Sequence, residues 1–301
     1  VSPAPETDLF APLEQALRER KALVEQALRA WLVPGESPEV RAAAQASLFA
    51  PSKRMRPILA LLVSEVLGGD PRTILPAAAA LEMVHTASLI LDDLPSMDDA
   101  SERRGRPACH VAYGEATAIL AAFALLNRAY EILAEGWSGA PEAPARTQMA
   151  RDLAAAVGVT GMIAGQARDL AMTDRTIDLE TLEFIHSRKT GALFIAAAAL
   201  GAQGADASPA ARAAVMAYAK NLGLAFQIVD DLIDVTGEAA EAGKDVGKDR
   251  RKTTFVSFAG VVGAGQLAAE LIDASQEALA PFGPAAKPLR ELARYVVTRR
   301  R

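Results

Sequence analysis

The 301-residue chain reads as all-helical, on three observations. Apolar residues make up 51% of it with alanine dominant, aromatic residues only 5%, and the β-branched and aromatic enrichment expected of strands is missing. Alanine and leucine are strong helix formers, whereas strands favour the residue types this chain lacks. The length accommodates one large domain or two ordinary ones, and no repeat or low-complexity tract calls for a second. The formal net charge of −5 supplies no field to attract nucleic acid or an acidic membrane surface. A single cysteine, Cys109, rules out an internal disulfide and fits a reducing compartment. No run approaches the roughly 20 apolar residues of a bilayer span, and the first residues lack a basic start followed by an apolar core. A cytoplasmic protein without a transmembrane segment is the expectation.

Taken in order, residues 1–7 are expected to fray. Leu9 to Leu32 forms an amphipathic helix, with Leu13, Leu17, Leu28 and Trp31 at helical spacings. Pro51-Ser52-Lys53-Arg54-Met55-Arg56-Pro57 is a basic turn opening an apolar helix from Ile58 to Leu67. Cations at a helix start oppose the macrodipole, an arrangement that makes sense when an anion binds among them. Gly68-Gly69-Asp70-Pro71 ends that helix, and a further helix runs from Leu75 to Asp93, carrying His85.

That helix delivers Asp92-Asp93-Leu94-Pro95-Ser96-Met97-Asp98-Asp99, four carboxylates in eight residues. On an unbroken helix Asp92 and Asp98 would lie about 240° apart. Pro95 disfavours helix at the residue before it and lets the chain turn back, so that both acids can meet one cation. A second cluster, Asp230-Asp231-Leu232-Ile233-Asp234, places Asp230 and Asp234 on one helix face within apolar flanks. Acids there are costly to bury unless cations are bound. Hard oxygen ligands in this number favour Mg²⁺, which completes its shell with water and substrate phosphates. Both clusters must then face one cavity, which makes a single all-α domain with the site between central helices the expected architecture.

Between and after the clusters lie four further groups of polar residues. Arg103-Arg104-Gly105-Arg106-Pro107 is a basic turn, and arginine's planar fork matches phosphate oxygens. Gln166 and Asp169, three residues apart, share a helix face. Arg188-Lys189-Thr190 precedes an alanine-rich helix from Leu193 to Leu200, and Thr236 to Lys252 is polar, lysine-rich and glycine-containing, as a mobile loop would be.

These residues resemble the trans-isoprenyl diphosphate synthases, most nearly the bacterial geranylgeranyl diphosphate type, from about Lys53 to Lys252. The resemblance implies a helical bundle of the isoprenoid synthase type and a homodimer. It further implies Mg²⁺ (three ions with substrate bound) held by Asp92, Asp93, Asp98, Asp230, Asp231 and Asp234. Isopentenyl diphosphate falls to Lys53, Arg56, His85 and Arg104. The allylic diphosphate (dimethylallyl, geranyl or farnesyl) falls to Arg103, Lys189, Thr190, Gln227, Lys244 and Lys248, with Lys252 a weaker match because its spacing from Lys248 is two shorter than the family's. Asp92, Asp98, Arg103, Lys189, Asp230 and Lys248 are the implied catalytic set, and Gln166 and Asp169 the implied cavity lining. His186 is left as structural. Where the family continues Ala-Gly-Asp, this chain has Ala121-Ala122-Phe123, which would put an extra ring toward the tunnel wall.

Product length in the family depends on the wall beneath the first acidic motif. Here Ala87 and Ser88 are small and Val84, one turn deeper, is moderate, which favours a C20 over a C15 product. A terpene cyclase would carry a different second motif and more aromatics and need no isopentenyl diphosphate site. A squalene or phytoene synthase would space its acids differently. A silent partner subunit on the same fold would have lost acids that are intact here.

Overall fold

The computed structural model describes residues 11–32, 37–240 and 252–298. The chain begins with α1 (Ala11–Trp31), α2 (Pro38–Leu48) and α3 (Met55–Val66), then a 3-10 turn, Pro71–Ile74, leads into α4 (Leu75–Asp92). After a hairpin come α5 (Cys109–Tyr113), α6 (Glu115–Glu135), α7 (Ala143–Val157), α8 (Met162–Ala171) and α9 (Leu179–His186). A π turn, Ser187–Gly191, joins α9 to α10 (Ala192–Gly204), followed by α11 (Pro209–Ala240), α12 (Phe255–Ala278) and α13 (Lys287–Thr298). The only strands among the described residues are β1 (Glu102–Arg103) and β2 (Arg106–Pro107), paired antiparallel.

The core is built from largely apolar helices. Most residues of α3, α4 and α10 are buried, as mostly apolar helices must be. Small side chains let these axes approach closely: a Cβ on Gly201 of α10 would lie 2.4 Å from the carbonyl oxygen of Ala60 on α3. The outer helices bury one stripe each. In α13, Leu289, Leu292, Ala293 and Val296 face inward, and Tyr218 of α11 donates to the Leu289 carbonyl at 2.8 Å.

A smaller cluster of Leu182, Ile228, Val229, Phe255 and Val256 fastens the start of α12 to α9 and α11. That start is also capped. Thr254 and Ser257 bond each other's backbone N–H groups, which satisfies donors the helix leaves open.

The helical boundaries differ from expectation in two places that matter. Helix α11 continues to Ala240, so residues 236–240, expected to be loop, extend the helix that carries the second acidic cluster. Helix α3 begins at Met55 rather than Ile58, which puts Arg56 in its first turn. Residues 1–7, expected to fray, lie outside the described residues. By length and hydropathy alone α4, α6 and α12 are each apolar enough to cross a bilayer, more than the sequence reading counted, although 72% of the most apolar window at α4 is buried inside the fold.

Candidate active site

A cavity of about 860 Å³ opens between α3, α4, the hairpin, α8, the π turn and α11. At the end of α4 the chain folds back on itself: the Asp98 N–H donates to the Asp92 carbonyl at 3.0 Å, and the Met97 N–H to that of Leu94 at 2.9 Å. This is the bend that Pro95 implies. Its consequence is that the Lys189 ammonium lies 3.5 Å from Asp92 and 3.9 Å from Asp98. Lys189 also donates to Asp169 at 2.8 Å. Lys252 donates to Asp98 at 2.6 Å and to Asp169 at 3.0 Å, and Gln166 donates to Asp92.

Protonation follows from these contacts. Burial and the nearby Asp98 raise the Asp92 carboxyl above the ordinary range, against the pull of Lys189 and Lys252. Burial also pushes Asp169 up, but its bonds to the two lysines outweigh that and hold it below the usual value. Lys252 is raised well above an ordinary lysine, since Asp98 and Asp169 overcome its desolvation.

The π turn explains how Lys189 and Thr190 both come to line the cavity. Such turns insert one residue more than an α-turn and re-aim side chains, often at functional sites. Helix α8 packs so tightly against it that a Cβ on Gly165 would sit 2.3 Å from the backbone nitrogen of Lys189. Thr190 then donates to Gln227 at 2.8 Å, Gln227 to Asp231 at 2.9 Å, and the other Asp231 oxygen accepts the Phe255 N–H at 3.1 Å. Buried among these partners and near Asp230, the Asp231 carboxyl is pushed up to about 6, chiefly by desolvation.

The opposite wall is basic. Arg56 lies 4.9 Å over the Phe194 ring and meets His85 Nε2 at 3.1 Å. Arginine has no acceptor, so the histidine nitrogen must accept and the ring is neutral with its proton on Nδ1. Burial, then Arg56 and Arg104, hold His85 well below the usual histidine value. Burial also lowers Arg56 to about 10. Arg54, at a left-handed φ of 56°, also lines this wall, but its charge is paired. It is buried against Glu82 at 2.7 Å and the Leu48 carbonyl at 2.6 Å. Lys53 and Arg104 complete the cationic lining.

Residues 37–283 match the Polyprenyl synthetase family. The chain belongs to that family. It is 41% identical to a geranylgeranyl diphosphate synthase of Cyanophora paradoxa, over 94% of this chain and 95% of the relative. It is equally 41% identical to a farnesyl diphosphate synthase of Geobacillus stearothermophilus, over 89% and 91%. A crystal structure described as an FPP/GFPP synthase from Zymomonas mobilis superposes with a TM-score of 0.85 at 33% identity, covering 95% of this chain and 99% of that one. This polyprenyl synthetase is a trans-prenyltransferase, and its family acts on isopentenyl and allylic diphosphates.

Within the synthetase, adjacent acids divide their work. Neighbours on a helix point about 100° apart, so only one of each Asp-Asp pair lines the cavity. Asp92 and Asp230 do. Asp93, expected as a metal ligand, is 2% exposed, turned from the main cavity, and bonded to Arg103 through Nε at 2.9 Å and through a second guanidinium nitrogen. Asp231, expected likewise, is occupied by Gln227 and the Phe255 N–H, while Asp234 lies at the exposed edge of α11.

Of the three residues expected to form the product wall, Ser88 lines the cavity. Ala87 and Val84 do not: they are core residues, 3% and 1% exposed. Phe123, expected toward the tunnel, is 61% exposed on α6. Lys244 and Lys248 lie outside the described residues. Two residues were undervalued by sequence reading, Lys252 and Glu82. Glu82 sits three residues before His85, a spacing that puts both on one face, and that was the available signal.

The family is generally Mg²⁺-dependent. Among the described residues no three acidic, histidine or cysteine side chains converge as a ready-made metal cage. The donor set fits Mg²⁺ nonetheless, because that ion takes one or two carboxylates and fills its shell with water and phosphate oxygens. Asp92 and Asp98 already converge on one cationic group. They would hold the ion on one side, with Asp230 on the other.

Proposed function

We propose that this trans-prenyltransferase condenses isopentenyl diphosphate with allylic diphosphates to give geranylgeranyl diphosphate, C20. The observation that carries the reading is the division of one cavity into two ends. At one end Asp92, Asp98 and Lys189 line the cavity and form one ion-pair network with Lys252 and Asp169, which lie beyond the lining although Asp169 was expected in it. At the other, Arg56, neutral His85, Lys53 and Arg104 line the wall.

In this reading the allylic diphosphate lies at the acidic end, with Lys189, Lys252, Arg103, Thr190 and Gln227 around its oxygens. Its C–O bond breaks, and the ammonium and guanidinium groups stabilise the charge gathering on the departing diphosphate. Bound Mg²⁺, proposed as three ions, would add Lewis-acid neutralisation of the same charge. Arg56, Lys53, His85 and Arg104 hold isopentenyl diphosphate so that its double bond meets the allylic cation. A new C–C bond forms, a proton leaves to the released diphosphate, and the chain is five carbons longer. The neutral ring of His85 suits it to donate a hydrogen bond from Nδ1 while Nε2 orients Arg56. The small Ser88 on the wall beneath Asp92 supports a product longer than C15.

A homodimer is part of the proposal. Val111 on α5 and Leu120 and Phe123 on α6 are all more than half exposed, and Leu120 and Phe123 share one face, an apolar stripe suited to a second copy.

Product chromatography after incubation of isopentenyl diphosphate with C5, C10 or C15 primers, each with and without Mg²⁺, tests the reading. A Mg²⁺-requiring C20 product is expected. A C15 limit would keep the reaction and overturn the product, and no condensation with any primer would overturn the reading itself.

A further inference from the structure

A second cavity of about 290 Å³ lies on the neighbouring face of α4, enclosed by α2, α5 and the hairpin. Leu89, Arg103 and Arg104 line both cavities, so the partition between them is a single layer of side chains. The reaction described above makes no use of this second space.

Its lining is selective. Ala46, Ala50 and Ile90 give it an apolar floor, and Arg104 and Arg106 bring positive charge to it. Neither of these arginines has a hydrogen-bonded or ion-paired side-chain partner among the described residues. The one acid in the lining, Asp93, is already neutralised by Arg103. Arg104 is held in place by a two-residue turn in which both Arg104 (φ 55°) and Gly105 (φ 71°) are left-handed, the geometry that tight hairpins favour. Independently, Thr86 lines this cavity with a hydroxyl that has no hydrogen-bond partner, although the residue is only 2% exposed. Buried hydroxyls are normally paired, and an orphan on a residue that lines a cavity points to a polar occupant there.

We propose that the second cavity binds a small anionic amphiphile, its head at Arg104 and Arg106 and its apolar body against Ala50, Ile90 and Thr86. The volume lies just below the ~300–1,000 Å³ of pockets for drug-sized ligands, which limits the body to a short chain. Because Arg104 faces both spaces, an anion held from behind draws it away from the main cavity, and occupancy of either cavity weakens the other by the same factor. That coupling rests on the role of Arg104 in the proposed reaction; occupancy of the cavity does not.

Cys109, the single cysteine of the chain, lines the second cavity and reports on it. Octyl phosphate is expected to protect Cys109 from methyl methanethiosulfonate, while inorganic diphosphate, which has no apolar body, is not. Arg106→Ala removes a charge-assisted contact and Ala46→Leu removes room. Each should raise the half-protecting concentration about tenfold and leave condensation without octyl phosphate unchanged. Calorimetry gives a second readout should the buried thiol react too slowly: two octyl phosphates per chain, reduced to one in Ala46→Leu. No protection together with a single calorimetric site overturns the proposal. So does equal protection by inorganic diphosphate, which would place the effect in the main cavity, or unaltered protection in both variants.

Discussion

Lys252 donates to Asp98 at 2.6 Å across 154 residues of sequence, joining the approach to α12 to the acidic turn after α4. With its second bond to Asp169, it shares both of these acids with Lys189.

Removing that ammonium should impair catalysis more than folding. For Lys252→Met, kcat/KM for the allylic substrate is expected to fall by about 10²–10³, the usual loss when one preorganised stabiliser of a developing anion is deleted. Steady-state kinetics check this, and a value within threefold of the parent would remove Lys252 from the site.

Asp92 and Asp93 should separate by their response to Mg²⁺. Asp92→Asn is expected to raise the half-activating Mg²⁺ concentration, because its carboxylate lines the cavity. Asp93→Asn should leave that concentration unchanged while lowering kcat, since it releases Arg103 from the bidentate pairing seen here. A parallel rise in Mg²⁺ requirement for both variants would return Asp93 to the ligand set.

Product length should answer to Ser88 rather than Ala87. Ser88→Tyr is expected to shift product from C20 toward C15 on chromatography, because its side chain enters the cavity. Ala87→Tyr instead overpacks a core position and is expected to lower stability by about 1–3 kcal/mol. Unchanged product from Ser88→Tyr would move the determinant elsewhere on the wall.

His186 should make stability sensitive to acid. Burial, with Lys189 and Lys252 assisting and Asp169 opposing, lowers it to about 4, and its ring packs 5.2 Å from that of Phe255. The folded protein therefore keeps it neutral where the unfolded chain, titrating near 6.5, takes up a proton. Its contribution is complete above about pH 6.5, falls as the pH drops toward 4, and levels off below, a total of at most about 3 kcal/mol. Urea unfolding of the parent and of His186→Gln at several pH values in that window checks it: the variant's stability should vary less with pH.

Much of this protein was legible without its structure, where information is local. The helical class follows from composition, and the return of the chain at Pro95 from what proline forbids. The grouping of Lys53, Arg56 and His85 with the two acidic clusters came from motifs whose residues stand a few positions apart. Hydrophobic periodicity says which residues share a face, but it does not say what each face meets. That is why Asp93 and Asp231 were read with their neighbours as ligands, although they point about 100° away, into Arg103 and the start of α12. It is also why Ala87 and Val84 were read as cavity wall when they are core. Lys252 meeting Asp98, the π turn aiming Lys189 and Thr190, and the second cavity behind Arg104 all depend on elements brought together from distant parts of the chain. Those contacts were decided by packing of the whole bundle, in which each helix must bury its apolar surface against particular neighbours.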